Sequence, residues 1–157
     1  MRAFDHASVA VERIEDALPL FRDLLGGTFV GGADEGVFRW VQLVYPGGSK
    51  VELIDPKPGD NFLRRFLDSH GPGLHHLTFK VNDLDAAIEA ARAAGFDVVG
   101  VNDSVAGWKE AFIHPKSANG VLVQLAETPF DEGAEGSPIQ GDSAERLLGL
   151  GPDALAP

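Results

Sequence analysis

The sequence predicts an α+β fold of two paired βαβββ modules, and three observations carry the prediction. A strand followed by a helix recurs at an offset of 70 residues, setting His6 against His76, Val11 against Val81, Ile14 against Leu84 and Ala17 against Ala87. Repetition at a fixed spacing defines an architecture before any single element does. Each helix is then followed by short β-branched and aromatic runs, not by a second helix. Each unit has only about fifty residues, too few to bury both faces of its own sheet, so two units must pair.

The first module spans residues 1–55. Asp5-His6-Ala7-Ser8-Val9-Ala10-Val11 alternates as a strand does. Glu12 to Leu25 carries Ile14, Leu18, Phe21, Leu24 and Leu25 at helical spacing, and Gly26-Gly27 stops it. Thr28-Phe29-Val30, Gly36 to Val44 and Lys50 to Ile54 read as strands, with Pro46-Gly47-Gly48 as the turn between the last two. Residues 56–72 form a linker in which Asn61 to His70 makes a short helix, Phe62, Phe66 and Leu67 being its apolar positions and Arg64 and Arg65 pointing outward.

The second module spans residues 73–127. His75-His76-Leu77-Thr78-Phe79-Lys80-Val81 is its first strand, and Asn82 to Ala94 is an alanine-rich helix ended by Gly95. Phe96 to Val101, Lys109 to His114 and Gly120 to Ala126 follow as strands, with Pro115 to Asn119 as a turn. Residues 128–157 are rich in Pro, Gly, Asp and Glu, which predicts a mobile or loosely docked tail with one short helix from Ser143 to Leu148.

Composition narrows the function. Thirteen basic against 24 acidic side chains give a formal charge of −11, which repels phosphate backbones and anionic lipids. No nucleic-acid or membrane partner is expected. With no cysteine, any metal must be held by His, carboxylate or amide. The N-terminus lacks a basic flank and an apolar core, and no stretch approaches the ~20 apolar residues of a membrane span, so a cytoplasmic location is expected.

His6 and His76 start equivalent strands, and pairing those strands would bring both imidazoles near one axis, an arrangement that suits divalent first-row metals. Val51-Glu52-Leu53 and Val123-Gln124-Leu125 each set one polar residue between two apolar ones on the last strand, so Glu52 and Gln124 face away from the core. Two His, one carboxylate and one amide make a workable shell for Co, Ni, Zn, Mn or Fe, with positions left for substrate oxygens. His75 is expected on the opposite face from His76. Arg39, Trp40, Trp108 and Lys109 are expected to contact substrate, Arg39 or Lys109 receiving a carboxylate. The cations expected at the mouth of a site for an anionic substrate are few: Lys57, Arg64, Arg65 and Lys116.

From Phe4 to Glu127 the pattern resembles the vicinal oxygen chelate superfamily of glyoxalase, bleomycin-resistance and extradiol dioxygenase proteins. The segments Gly73-Leu74-His75-His76-Leu77-Thr78-Phe79-Lys80-Val81 and Phe112-Ile113-His114-Pro115-Lys116-Ser117-Ala118-Asn119-Gly120-Val121-Leu122-Val123-Gln124-Leu125 are most similar to the methylmalonyl-CoA epimerases. The resemblance implies an open, cup-shaped mixed sheet with helices outside and a divalent metal held by His6, Glu52, His76 and Gln124. It also implies an isomerase moving a proton at the carbon alpha to a thioester or carbonyl, with a small-molecule substrate such as an acyl-CoA and a homodimeric state. Gln124 departs from the pattern, because the family has Glu there and an amide cannot act as a base. The family's other base falls within Ala33-Asp34-Glu35-Gly36-Val37, so Asp34 and Glu35 are candidates, and Glu52 is a third. Alternative readings are a glyoxalase-type lyase, an extradiol dioxygenase, and a non-catalytic small-molecule binding or resistance protein.

Overall fold

The structure, a computed structural model, describes residues 3–129 and 141–150. Its fold is mixed α+β, and both βαβββ repeats are present. In the first, β1 (Ala3–Ala10) leads to α1 (Ile14–Leu18), β2 (Thr28–Asp34), β3 (Phe38–Val44) and β4 (Lys50–Pro56). After α2 (Phe62–His70), the second repeat runs through β5 (Gly73–Lys80), α3 (Leu84–Ala93), β6 (Val98–Val105), β7 (Trp108–Ile113) and β8 (Val123–Glu127). A last helix, α4, spans Gly141–Leu147. No described helix is long and apolar enough to cross a membrane.

The chain divides into two compact units, and the division falls inside β1. One unit contains residues 8–74 and 141–150. Its strand order is β2-β3-β4-β1, with β2, β3 and β4 antiparallel. Ile14 and Leu18 of α1 pack with Val41, Leu43 and Leu53 in its larger core, while Leu63 and Leu67 of α2 pack with Ala10 and Ile54. Leu63, fully buried, takes the place expected of Phe62, which is 44% exposed.

The single helix expected from Glu12 to Leu25 is divided at Pro19. Proline has no N–H to give and its ring crowds the preceding turn. The following segment, Pro19–Leu24, is therefore wound wider as a π-helix, closed by Leu25 N–H to Leu20 O at 3.0 Å. The helix starts at Ile14 because the Asp55 carboxylate of β4 accepts the Ile14 N–H at 3.0 Å.

Of the tail expected over residues 128–157, residues 130–140 and 151–157 lie outside the described residues, and its helix α4 is docked. Ala144 is fully buried in the larger core, with Leu147 and Leu148 against it. A Cβ on Gly32 of β2 would lie 3.1 Å from the Ala144 Cα and 2.9 Å from the Trp40 carbonyl, so the glycine makes room for this approach.

The other unit contains residues 3–7 and 75–129, with strand order β1-β5-β8-β7-β6. β5 and β8 run parallel, whereas β8-β7 and β7-β6 are antiparallel. Leu84 and Ile88 of α3 pack with Val81, Ala111 and Leu125 as its core. Asp83 caps α3, its carboxylate accepting the Ala86 N–H at 2.9 Å.

Candidate active site

The repeat extends to hydrogen bonds that the sequence did not disclose. Asp5 Oδ2 lies 2.7 Å from His6 Nδ1, and the residue at the equivalent position, His75, places its Nδ1 2.8 Å from His76 Nδ1. Each histidine is thus gripped through Nδ1 by the residue before it. A carboxylate only accepts, so the hydrogen between Asp5 and His6 is donated from Nδ1. His75 does not turn away as strand alternation predicts; its ring meets His76 edge-on, with centroids 5.1 Å apart. The His6 and His76 rings are 2% and 7% exposed and stand 5.9 Å apart, near enough to share a small ion. Asp5 is itself buried and pairs with the buried Lys80 ammonium at 3.3 Å.

The next matched pair is Ser8 and Thr78, each two residues beyond its histidine and so on the same face of the strand. Ser8 Oγ donates to Glu52 Oε1 at 2.9 Å, and Thr78 Oγ1 donates to Gln124 Oε1 at 2.6 Å. Thr78 Oγ1 also lies 3.0 Å from His6 Nε2. The metal-type donors are thus the His6 and His76 ring nitrogens in one unit and the Glu52 carboxylate in the other, with the Gln124 amide fixed beside Thr78.

On β7, Trp108, Glu110 and Phe112 share one face, and Phe112 stands directly across from Gln124. Glu110 Oε2 accepts from Gln124 Nε2 at 2.6 Å and from Trp108 Nε1 at 3.1 Å. Because that carboxylate can only accept, it sets the amide orientation, with nitrogen toward Glu110 and oxygen toward Thr78. Sequence reasoning missed Glu110. Its signal was position, two residues before Phe112 on the strand beside Gln124.

Arg39 and Lys109, expected to contact substrate, stand on the other face of their strands, with the core residues Val41 and Ala111, and bind carboxylates of the protein. They form another matched pair instead. Arg39 binds Asp55, which accepts the Ile14 N–H, and Glu15 at 2.9 Å. Lys109 Nζ binds Glu127 at 3.2 Å, and Glu127 accepts the Leu84 N–H at 2.7 Å. Each cation thus braces a carboxylate that receives a helix's first N–H.

Arg39 holds the Glu15 carboxyl below its ordinary range. The Leu84 N–H, and after it Lys109, do the same for Glu127. A depressed carboxyl contributes stability above its unfolded pKa and loses it as pH falls through the folded value. The urea midpoint of Glu127→Gln should accordingly lie below that of the parent at pH 7 and converge on it below the carboxylate range. Parallel curves would remove this role.

Trp40 packs with Phe38 and Phe66 around Ile54, and its Nε1 donates to Glu35 at 3.0 Å. Asp34 accepts the Gly36 N–H at 2.8 Å and binds Lys57. That ammonium, and then the Gly36 N–H, hold the Asp34 carboxyl below its usual range. Asp34 and Glu35 thus lie where β2 ends, bound to Lys57 and Trp40.

Residues 5–112 match the family profile described as the glyoxalase/bleomycin resistance protein/dioxygenase superfamily. The chain is 33% identical over 135 residues to the uncharacterized protein YqjC of Bacillus subtilis, covering 84% of this chain and 96% of that one. It is 30% identical over 129 residues to the ethylmalonyl-CoA/methylmalonyl-CoA epimerase of Cereibacter sphaeroides, covering 78% and 96%. Among solved structures it resembles methylmalonyl-CoA epimerase from Mycobacterium tuberculosis, with a TM-score of 0.73, 32% identity, and coverage of 82% of this chain and 89% of that one.

Proposed function

Because this chain belongs to the glyoxalase/bleomycin resistance protein/dioxygenase superfamily, we propose that it is a metal-dependent epimerase. It would move a proton at the carbon alpha to a thioester carbonyl, with methylmalonyl-CoA or a close 2-substituted malonyl thioester as substrate. The observation that carries the reading is the donor set: among the described residues, His6, Glu52 and His76 are the group able to hold a metal ion. Two imidazoles and one carboxylate suit a divalent first-row ion such as Co, Ni, Zn, Mn or Fe. A lyase or dioxygenase of this fold would use similar donors; relatives named as epimerases favour the isomerase.

When bound, the ion supplies Lewis-acid stabilisation of the negative charge that develops on the carbonyl oxygen as the α-proton leaves. The protein's own groups do the rest. Asp5 and His75 hold the two imidazoles through Nδ1 and so fix the orientation of each ring. Ser8 holds one oxygen of Glu52, orienting the first module's carboxylate both as a ligand and as a proton carrier. Gln124 cannot carry a proton and serves to orient.

The test uses protein loaded with Co(II) and incubated with one epimer of methylmalonyl-CoA in deuterated water. Deuterium at the α-carbon together with appearance of the other epimer is expected. Full retention of the α-proton at stoichiometric metal overturns the reading.

A further inference from the structure

Epimerisation needs proton carriers on two sides of the α-carbon, and an amide at residue 124 leaves the second module without one on its last strand. We propose that Glu110, on the neighbouring strand, is the second module's proton-carrying carboxylate and the second catalytic residue; this assignment rests on the epimerase reading above.

Three observations point to it. Glu110 shares its β7 face with Phe112, whose ring meets His76 with centroids 6.1 Å apart, so the carboxylate stands on the His76 face of the sheet. It also ends a continuous chain of side chains from the histidine: His6 Nε2 to Thr78 Oγ1 at 3.0 Å, Thr78 to Gln124 Oε1 at 2.6 Å, and Gln124 Nε2 to Glu110 Oε2 at 2.6 Å. The acid therefore sits one hydrogen bond beyond the amide. Finally, the distribution between modules is complementary. The first module carries Glu52 on its last strand and Trp40 at the position matching Glu110, whereas the second carries Gln124 and Glu110. Each module has one carboxylate on this pair of strands and positions.

The partners of Glu110 suit proton transfer. Gln124 and Trp108 are neutral N–H donors, unlike the lysine that binds Glu127, so gaining a proton breaks no bond to a cation. In the step, a Glu110 oxygen takes the α-proton and the C–H electron pair passes into the thioester enolate. Protonation of that carbon by the first module's carboxylic acid gives the other epimer. Glu110, left protonated, exchanges with solvent or donates in the reverse direction.

Glu110→Gln, loaded with Co(II) and given each epimer of methylmalonyl-CoA in deuterated water, should lose ~10²–10⁴-fold in epimerisation. Deuterium uptake should vanish for one epimer and persist for the other, with metal content unchanged. Returning the carboxylate to the last strand, by combining Glu110→Gln with Gln124→Glu, should restore epimerisation, which a merely structural Glu110 would not do. An active parent with a Glu110→Gln variant of equal rate overturns the assignment alone, as does equal loss of exchange from both epimers accompanied by loss of metal. A metal-loaded parent that exchanges no α-proton overturns the epimerase reading, and this assignment with it.

Discussion

His76→Ala should purify without stoichiometric metal under conditions in which the parent holds about one ion per chain, and its epimerisation should fall by at least ~10³-fold. His76 is 7% exposed and its ring is held 2.8 Å from His75 Nδ1, so the imidazole is fixed in place before any ion arrives. Removing it leaves one imidazole and one carboxylate, a set that many surface sites could match. His75→Ala should do less, because it removes only the group that grips the ring; loss of such a supporting partner typically costs 10–100-fold in metal affinity. The graded order, His76 far above His75, separates a ligand from its support. Metal analysis after dialysis reads it directly, and thermal unfolding of both variants checks that the β5 strand survives. His76→Ala retaining parent-like metal affinity would remove His76 from the shell.

Much of this arrangement was legible because the sequence repeats itself. The offset that matched His6 to His76 also matches Ser8 to Thr78, Asp5 to His75 and Arg39 to Lys109, and the structure uses each pair alike. Periodicity located α1 but did not show its division, since a π turn at Pro19 carries the apolar pattern past the break instead of ending it. Composition could not show how α4 packs, because that contact depends on one small residue, Ala144, meeting one glycine, Gly32.

At the site, chemistry and strand parity gave different answers for the cations, and parity prevailed. Arg39 shares alternation with Val41 and Leu43, both fully buried, so its strand position already directed it to the helix side. A guanidinium suited to a carboxylate found Asp55 and Glu15 within the protein. Glu110 was the converse case. Parity opposite to the buried Ala111 placed it on the Gln124 face, but no family motif drew attention to it. Hydrogen bonds between neighbouring residues, such as His75 with His76, depend on side-chain rotamers, which alternation does not encode.

Asp55→Ala should cost about 3 kcal/mol, the largest stability loss expected from a single polar side chain here. Asp55 is 2% exposed and does two things at once: it accepts the first N–H of α1 and neutralises Arg39, itself only 23% exposed. Alanine leaves a buried donor without its acceptor and a half-buried cation without its closest counter-charge, and each loss is expensive in a low-dielectric setting. The matched change Glu127→Ala should cost only about 1 kcal/mol, because Glu127 is 28% exposed and water can take over the Leu84 N–H. Asp55→Asn divides the two roles, since an amide oxygen can still accept from Ile14 while the charge opposite Arg39 is gone. Urea unfolding of the three variants should therefore rank Asp55→Ala lowest, Asp55→Asn between, and Glu127→Ala nearest the parent. Asp55→Ala within about 0.5 kcal/mol of the parent would show that Glu15 alone satisfies Arg39 and that α1 needs no capping carboxylate.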